Sequence, residues 1–275
     1  MVIRHIKDQV PSLTELGMPA IFEEMILAKR GLIFVVGATG SGKSTTLAAL
    51  LDHRNRNATG HILTIEDPIE FIHPHKKSVV DQREVGIDTL SYGGALKNAL
   101  REAPDLIMIG EIRDVDTMQH AVHFAETGHL CLTSLHANNA SQAIERIINF
   151  FSEDARNRLL QDLSLHLTAI LAQRLVPGVE GKRIAAVEVM PKTPYISDLI
   201  EKGQIGDLRD FMAEHKDERI QTFDQAVYDL YKAGRITPRE AVRYADSQHN
   251  VRMRIEFESP GTFNTLKETD LSIYE

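Results

Sequence analysis

Apolar positions along the chain fall into two alternating kinds of segment. Leu32 to Val36 is a short, continuously apolar, β-branched run, the pattern of a strand covered on both faces. Comparable runs recur at His61 to Ile65, Leu106 to Ile109 and Leu130 to Leu135. Between them the sequence takes helical spacing or gives way to turn residues. Met118, Ala121, Val122 and Ala125 share one face of a helix that Asp114 caps and Gly128 ends. An earlier helix is expected from about Pro19 to Lys29, with Ile21, Phe22, Met25 and Ile26 on its inner face and Gly31 as its stop. Such alternation predicts an α/β fold around a parallel sheet.

After about Ser152 the pattern changes. Helical segments follow one another at Glu153 to Gln173, Pro194 to Glu201, Thr222 to Ala233 and Pro238 to Ala245, interrupted by one strand at Arg183 to Met190. The expected organisation is a leading helix and linker over 1–30, a nucleotide-binding core over 31–151, a mainly helical subdomain over 152–250 and a tail over 251–275. The tail alternates weakly and reads as an ordered strand or a loose end.

Composition narrows the class. The 275 residues suffice for a substantial core, and 43% hydrophobic with 25% charged residues is an ordinary soluble balance. No window approaches the roughly 20 apolar residues of a membrane-spanning helix. Met1 to Val10 lacks the apolar centre of a secretory signal, so cytoplasm is the default expectation. The single cysteine, Cys131, excludes an internal disulfide and a cysteine-rich zinc module, and Leu130 and Leu132 beside it predict a buried strand residue. A net charge of −8 argues against a surface built mainly for nucleic acid phosphates.

The chemistry concentrates in Gly37-Ala-Thr-Gly-Ser-Gly42-Lys43-Ser44, a full GxxxxGK(S/T) pattern placed after a predicted strand and before a helix. Glycines let such a loop wrap its backbone N–H groups around phosphates, and the helix that follows offers its positive end. Gly37, Thr39, Gly40, Ser41, Gly42, Lys43, Ser44 and Thr45 are the expected nucleotide-binding residues. Lys43 should reach the β- and γ-phosphates of ATP and Ser44 should ligate Mg²⁺. An ordinary glycine turn is the alternative, and the strand and helix flanks oppose it.

Phosphoryl transfer to water also needs a carboxylate near Mg²⁺ and a group that orients the attacking water. Asp105 to Glu111 is an apolar strand ending in Gly110 and Glu111, where a metal-side carboxylate belongs. Ile65 to Phe71 follows another strand, and Pro68 can turn the chain so that Glu70 faces the same crevice; Glu66 and Asp67 serve capping and turn formation equally well. His129 and His136 bracket the strand Leu130 to Leu135 and point to opposite faces, a poor spacing for a metal site. His136 suits a γ-phosphate sensor better than His129, with a core or interface histidine as the alternative for both. His73 and His75 flank Pro74 and are expected on an exposed loop.

These boxes carry a resemblance. The phosphate loop, Ile65 to Phe71, Gly110-Glu-Ile-Arg-Asp114, and Thr127-Gly-His129 through Leu135-His136 are similar to the secretion ATPase superfamily, closest to the type IV pilus retraction ATPase family, PilT and PilU, over about Val2 to Val251. Ser134-Leu-His-Ala-Asn-Asn-Ala140 and Tyr195-Ile-Ser-Asp-Leu-Ile200 lean toward the PilU side. The resemblance implies a RecA-like P-loop core, Glu70 as the water-activating carboxylate, Glu111 as the Walker B residue that joins Ser44 at Mg²⁺, and His129 with His136 as a histidine pair. It implies a hexameric motor that hydrolyses ATP to retract pili and drive twitching motility, on the cytoplasmic side of the inner membrane at the pilus base. A membrane platform protein is the expected partner, a paralogous pilus ATPase stays open as another, and nucleic acid is not expected. Arg113 and Arg146 could serve subunit interfaces or simply be solvated. Because the phosphate loop begins at residue 37, the family's PAS-like N-terminal domain of roughly a hundred residues is expected to be missing from this chain. A related assembly or type II secretion ATPase, and a RecA-like nucleic acid translocase, remain alternative readings.

Overall fold

A computed structural model describes residues 9–263 apart from 216 and 218. In chain order the elements are α1 (Ile21–Ile26), β1 (Gly31–Val36), α2 (Lys43–Asn57), β2 (Gly60–Glu66), β3 (Ser78–Glu84), α3 (Tyr92–Ala99), β4 (Leu106–Ile109), α4 (Val115–Glu126), β5 (Leu130–Leu135), α5 (Ala140–Phe150), α6 (Glu153–His166), β6 (Leu167–Pro177), β7 (Arg183–Pro191), α7 (Pro194–Glu201), α8 (Asp207–Glu214), α9 (Phe223–Lys232), α10 (Pro238–Tyr244) and α11 (Gln248–Glu258). The strands form one sheet in the order β3-β2-β4-β5-β1-β6-β7. Every neighbouring pair is parallel except β6 with β7.

The unbroken apolar run of β1 has a direct cause. Leu32, Phe34 and Val36 pack on the face covered by α3, α4, α5 and the C-terminal helices. Ile33 and Val35 face α1 and α2. Both sides of the strand are therefore dry, and polar alternation has no place in it. Asp114 caps α4 by accepting from the Thr117 amide at 2.8 Å, and Met118, Ala121, Val122 and Ala125 are buried as their spacing predicts. Cys131 lies fully buried in β5, where desolvation pushes its thiol pKa up.

Three segments differ from expectation. The first helix is confined to Ile21–Ile26, and Arg54 of α2 holds the chain just beyond its turn: Nη1 donates to Ile26 O at 2.9 Å and to Ala28 O at 2.8 Å. The helix expected over Glu153 to Gln173 stops at His166, and Leu167–Pro177 is a strand instead. That stretch is apolar enough to read either way, and a free place beside β1 decides it. Both β6 and β7, from the range assigned to the second unit, complete the core sheet. Finally, 248–258 is a helix rather than a strand or loose end, with Val251 and Ile255 buried one turn apart; residues 264–275 lie outside the described residues.

Candidate functional site

The C-terminal ends of β1, β2, β4 and β5 open into one cleft of about 320 Å³, lined by Thr39, Gly40, Lys43, Ser44, Glu66, Glu70, His73, Glu111, Arg113 and His136 among others. Open α/β sheets place ligands there. The phosphate loop runs from β1 into the first turn of α2. Two of its glycines are required by close approach: a Cβ at Gly37 would stand 2.3 Å from Ser41 Oγ and 2.6 Å from Gln173 O, and one at Gly42 2.8 Å from Gln173 Nε2. Thr39 and Gly40 form the exposed lip of the loop. Ser41 is buried beneath it. Ser44 turns into the cleft, whereas Thr45 and Gly42 line a separate cavity of about 510 Å³ against the β6–β7 hairpin.

Lys43 Nζ donates to Gly37 O at 2.9 Å and to Ala38 O at 3.1 Å, and stands 3.3 Å from His136 Nδ1. Burial lowers its pKa, with the charges of Glu111 and Glu70 opposing that shift. On the other side of the ring, His136 Nε2 lies 3.2 Å from Glu111 Oε1. Arg113 Nε donates to Glu111 Oε2 at 3.0 Å and its Nη1 reaches Asp67 at 3.5 Å. A continuous polar chain thus runs from the phosphate loop through His136 and Glu111 to Arg113. Glu111 is held at this point because Gly110 N donates to Ile65 O at 2.8 Å and Ser134 Oγ donates to Gly110 O at 2.6 Å, fixing the strand end on both sides.

Glu70 is exposed and lines the same cleft after the Asp67–Pro68 turn. Glu66 is different: it is buried, accepts from Thr64 Oγ1 at 2.7 Å and from Gln82 Nε2 at 3.2 Å, and desolvation raises its pKa. Both donors end on its Oε1, in the wall of the cleft, whereas Glu70 stands in the exposed mouth.

Not every expected residue joins the cleft. His129 sits at the opposite end of β5, with Nδ1 3.0 Å from Thr127 Oγ1 and 3.3 Å from Phe124 O, where it closes the C-terminus of α4. Arg146 of α5 lies at an adjoining open cavity with Ala38, His136, Asn138 and Gln142. His73, expected exposed, is buried in the cleft wall, and only His75 is exposed. His73 N donates to Gln82 Oε1 at 2.8 Å, while its Nδ1 has no hydrogen-bond partner among the described residues. Desolvation pushes its pKa down to about 4.

Gln173 of β6 is a site residue that sequence reading missed, since it falls in the stretch taken for helix. It is buried; Nε2 donates to Ser41 O at 2.8 Å and Oε1 accepts from Thr46 Oγ1 at 2.7 Å. One amide thereby fixes the phosphate loop to the first turn of α2. The adjacent polar pair Gln173-Arg174 interrupting the mostly apolar run Leu167 to Val176 is the signal that could have found it.

Comparison with known proteins places this geometry in context. The sequence model of the family described as Type II/IV secretion system protein matches residues 1–235. The type IV pilus ATPase PilU of Pseudomonas aeruginosa is 55% identical over 260 residues, covering 94% of this chain and 68% of that protein. A twitching motility protein of Neisseria gonorrhoeae is 40% identical over 251 residues, covering 91% of this chain and 67% of that protein. Among solved structures, the pilus retraction motor PilT with bound ADP superposes with a TM-score of 0.83 at 41% identity, covering 89% of this chain and 69% of that chain.

Proposed function

This chain belongs to the type II/IV secretion system protein family, alongside its type IV pilus ATPases, and on that premise we propose that it is the ATP-hydrolysing part of a motor for pilus retraction and twitching motility. The observation that carries this reading is the convergence of Lys43, His136 and Glu111, each within 3.3 Å of the next, facing Glu70 across the phosphate-loop cleft.

ATP's triphosphate lies along the loop, its β- and γ-phosphates met by Lys43 and by the backbone N–H groups at the start of α2. The γ-phosphate then points toward Glu70, Glu111 and His136, so the nucleoside extends the other way, past Thr45 into the cavity of Gly42, Leu175 and Arg183. Ser44 and Glu111 offer hard oxygen donors on one cleft and suit Mg²⁺, which when bound would neutralise charge on the phosphates. Glu70, exposed and with no side-chain hydrogen bond or ion pair among the described residues, orients and deprotonates the attacking water. His136, between Lys43 and Glu111, senses whether the γ-phosphate is present. His129 sits too far along β5 to share that task and serves the fold.

The full assembly is a ring of identical subunits, a hexamer, acting on an inner-membrane platform protein from the cytoplasmic side, with a paralogous pilus ATPase as a further partner. Among the described residues no helix is long and apolar enough to cross a membrane. Arg113 is paired within its own subunit to Glu111 and Asp67. Arg146 makes no ion pair with any described residue, which makes it the better interface arginine of the two. Lys43→Ala tests the reading: Mg-ATP turnover by the assembled protein should fall about 10²-fold or more with its melting temperature retained, and wild-type turnover would remove the phosphate loop from the mechanism.

A further inference from the structure

Gln173 and Arg174 are consecutive residues of β6, so their side chains leave opposite faces of the sheet. Gln173 ties the phosphate loop to α2. Arg174, on the other face, gathers groups from distant parts of the chain. Its Nη1 donates to Tyr244 O at 2.8 Å at the end of α10, and its Nη2 donates to Asn138 O at 3.2 Å and pairs with Asp246. The guanidinium lies 3.8 Å from the ring centroid of Phe223, which opens α9 and is fully buried. Asp246 is in turn fixed to α9, since its amide donates to Asp224 Oδ1 at 2.7 Å, as does the Ser247 amide at 3.0 Å.

Asn138 belongs to the four-residue loop 136–139 that carries His136 out of β5 and into α5. That loop is pinned at its far end as well: the Ala140 amide donates to Glu188 Oε1 of β7 at 2.7 Å, and Asn139 caps α5 through the Gln142 amide at 2.9 Å. His136 itself touches both Lys43 and Glu111. A displacement of His136 by a phosphate therefore has a short route to the C-terminal helices, through Asn138 O to Arg174 and from there to the start of α9, the end of α10 and the entry to α11.

We infer that Arg174 is a positioning residue that couples the His136 loop to the C-terminal helices, so that the nucleotide state of the cleft is passed to α9, α10 and α11. The inference rests on the ATPase reading of the cleft. Its physical basis is the planar fork of the guanidinium, whose donors serve three oxygens from two segments, the 136–139 loop and the α10–α11 connection, while its face rests on Phe223. A lysine keeps the charge and can keep Asp246, but a single ammonium without the fork cannot hold Tyr244 O, Asn138 O and the aromatic face together.

Hydrogen exchange over residues 238–258 of the full chain, measured with ADP and with a non-hydrolysable ATP analogue, tests the coupling directly. Wild type should show a difference in exchange between the two nucleotides in this segment. Arg174→Lys should abolish that difference while binding both nucleotides within about threefold of wild type. A purely structural arginine would raise exchange equally in both states, and a difference that survives in Arg174→Lys would overturn the inference. A kinetic cycle supplies the second arm. His136→Gln should lower kcat by about tenfold or more, and adding Arg174→Lys to it should lower kcat by less than about twofold further, because both changes break one connection. Multiplicative losses would overturn the coupling. Wild-type kcat in His136→Gln, with the exchange difference intact, would instead defeat the role given to His136 while leaving the ring's hydrolysis assigned to Lys43 and Glu70.

Discussion

Replacing Gln173 by leucine removes hydrogen bonds from beneath the phosphate loop with little change in side-chain volume. Gln173 is 4% exposed and Thr46 1%, so neither lost partner can be replaced by bulk water. The substitution orphans Ser41 O and the Thr46 hydroxyl, which Gln173 holds at 2.8 and 2.7 Å. Each stranded polar group costs about 1–3 kcal/mol, giving a loss of roughly 2–6 kcal/mol for the two. At ~2–4 °C per kcal/mol for a chain of this size, the melting temperature should drop by about 4–24 °C. Nucleotide affinity should fall too. If about 2 kcal/mol of the loss acts by depopulating the bound-ready loop, the Kd for ADP rises ~30-fold. Calorimetric titration with ADP and a thermal melt of the same sample measure both. Thr46→Val, which orphans only one oxygen of Gln173, should fall between the two. Wild-type affinity and stability in Gln173→Leu would show that the loop holds its shape without β6, and the argument from burial would fail.

Other expectations concern titration. His73 is protonated only below about pH 4 when folded, against an ordinary value of 6.5, so the unfolded chain takes up a proton first as pH falls. Its contribution is complete above pH 6.5 and declines toward pH 4 by roughly 3 kcal/mol. His73→Phe should therefore show a flatter stability profile than wild type between pH 6.5 and 4.5 in chemical denaturation, and parallel profiles would contradict the burial of the ring. Glu188 behaves in the opposite sense: burial foremost raises its carboxyl from 4.5 to about 7, so the stability it provides is present below pH 4.5 and is lost as pH rises through 7. Glu188→Gln keeps an acceptor for the Ala140 amide, and relative to wild type it should gain roughly 3 kcal/mol between pH 4.5 and 8. An unchanged difference across that range would sink the assignment.

How far the sequence foretold this arrangement varied with the kind of signal. Buried parallel strands announce themselves because both faces are dry, and Leu106–Ile109 and Leu130–Leu135 have the predicted bounds. The helix starts expected at Pro194 and Pro238 are equally legible, and the structure adds Thr193 and Thr237 as their side-chain caps. The phosphate loop, Glu70, Glu111 and His136 meet in one cleft because each follows a strand of the same sheet at its C-terminal end. What stayed hidden depended on long-range partners. Leu167–Pro177 becomes a strand through pairing with β1 and β7, which no local pattern encodes, and Gln173 and Arg174 were hidden with it. The proline beside His73 predicts the surface, whereas β3, through Gln82, draws its backbone inward. His129 shares a strand with His136, yet the length of that strand separates them.

Hydrolysis in the proposed mechanism depends above all on Glu70, the exposed carboxylate that lines the same cleft as Lys43. Glu70→Gln preserves shape and removes the base, so binding and turnover should separate. In one preparation of the assembled protein, the variant should bind Mg-ATP within about threefold of wild type and hydrolyse it at least ~10²-fold more slowly. Wild-type hydrolysis by Glu70→Gln with binding intact would contradict the account and move the water-orienting role to Glu111 or Glu66.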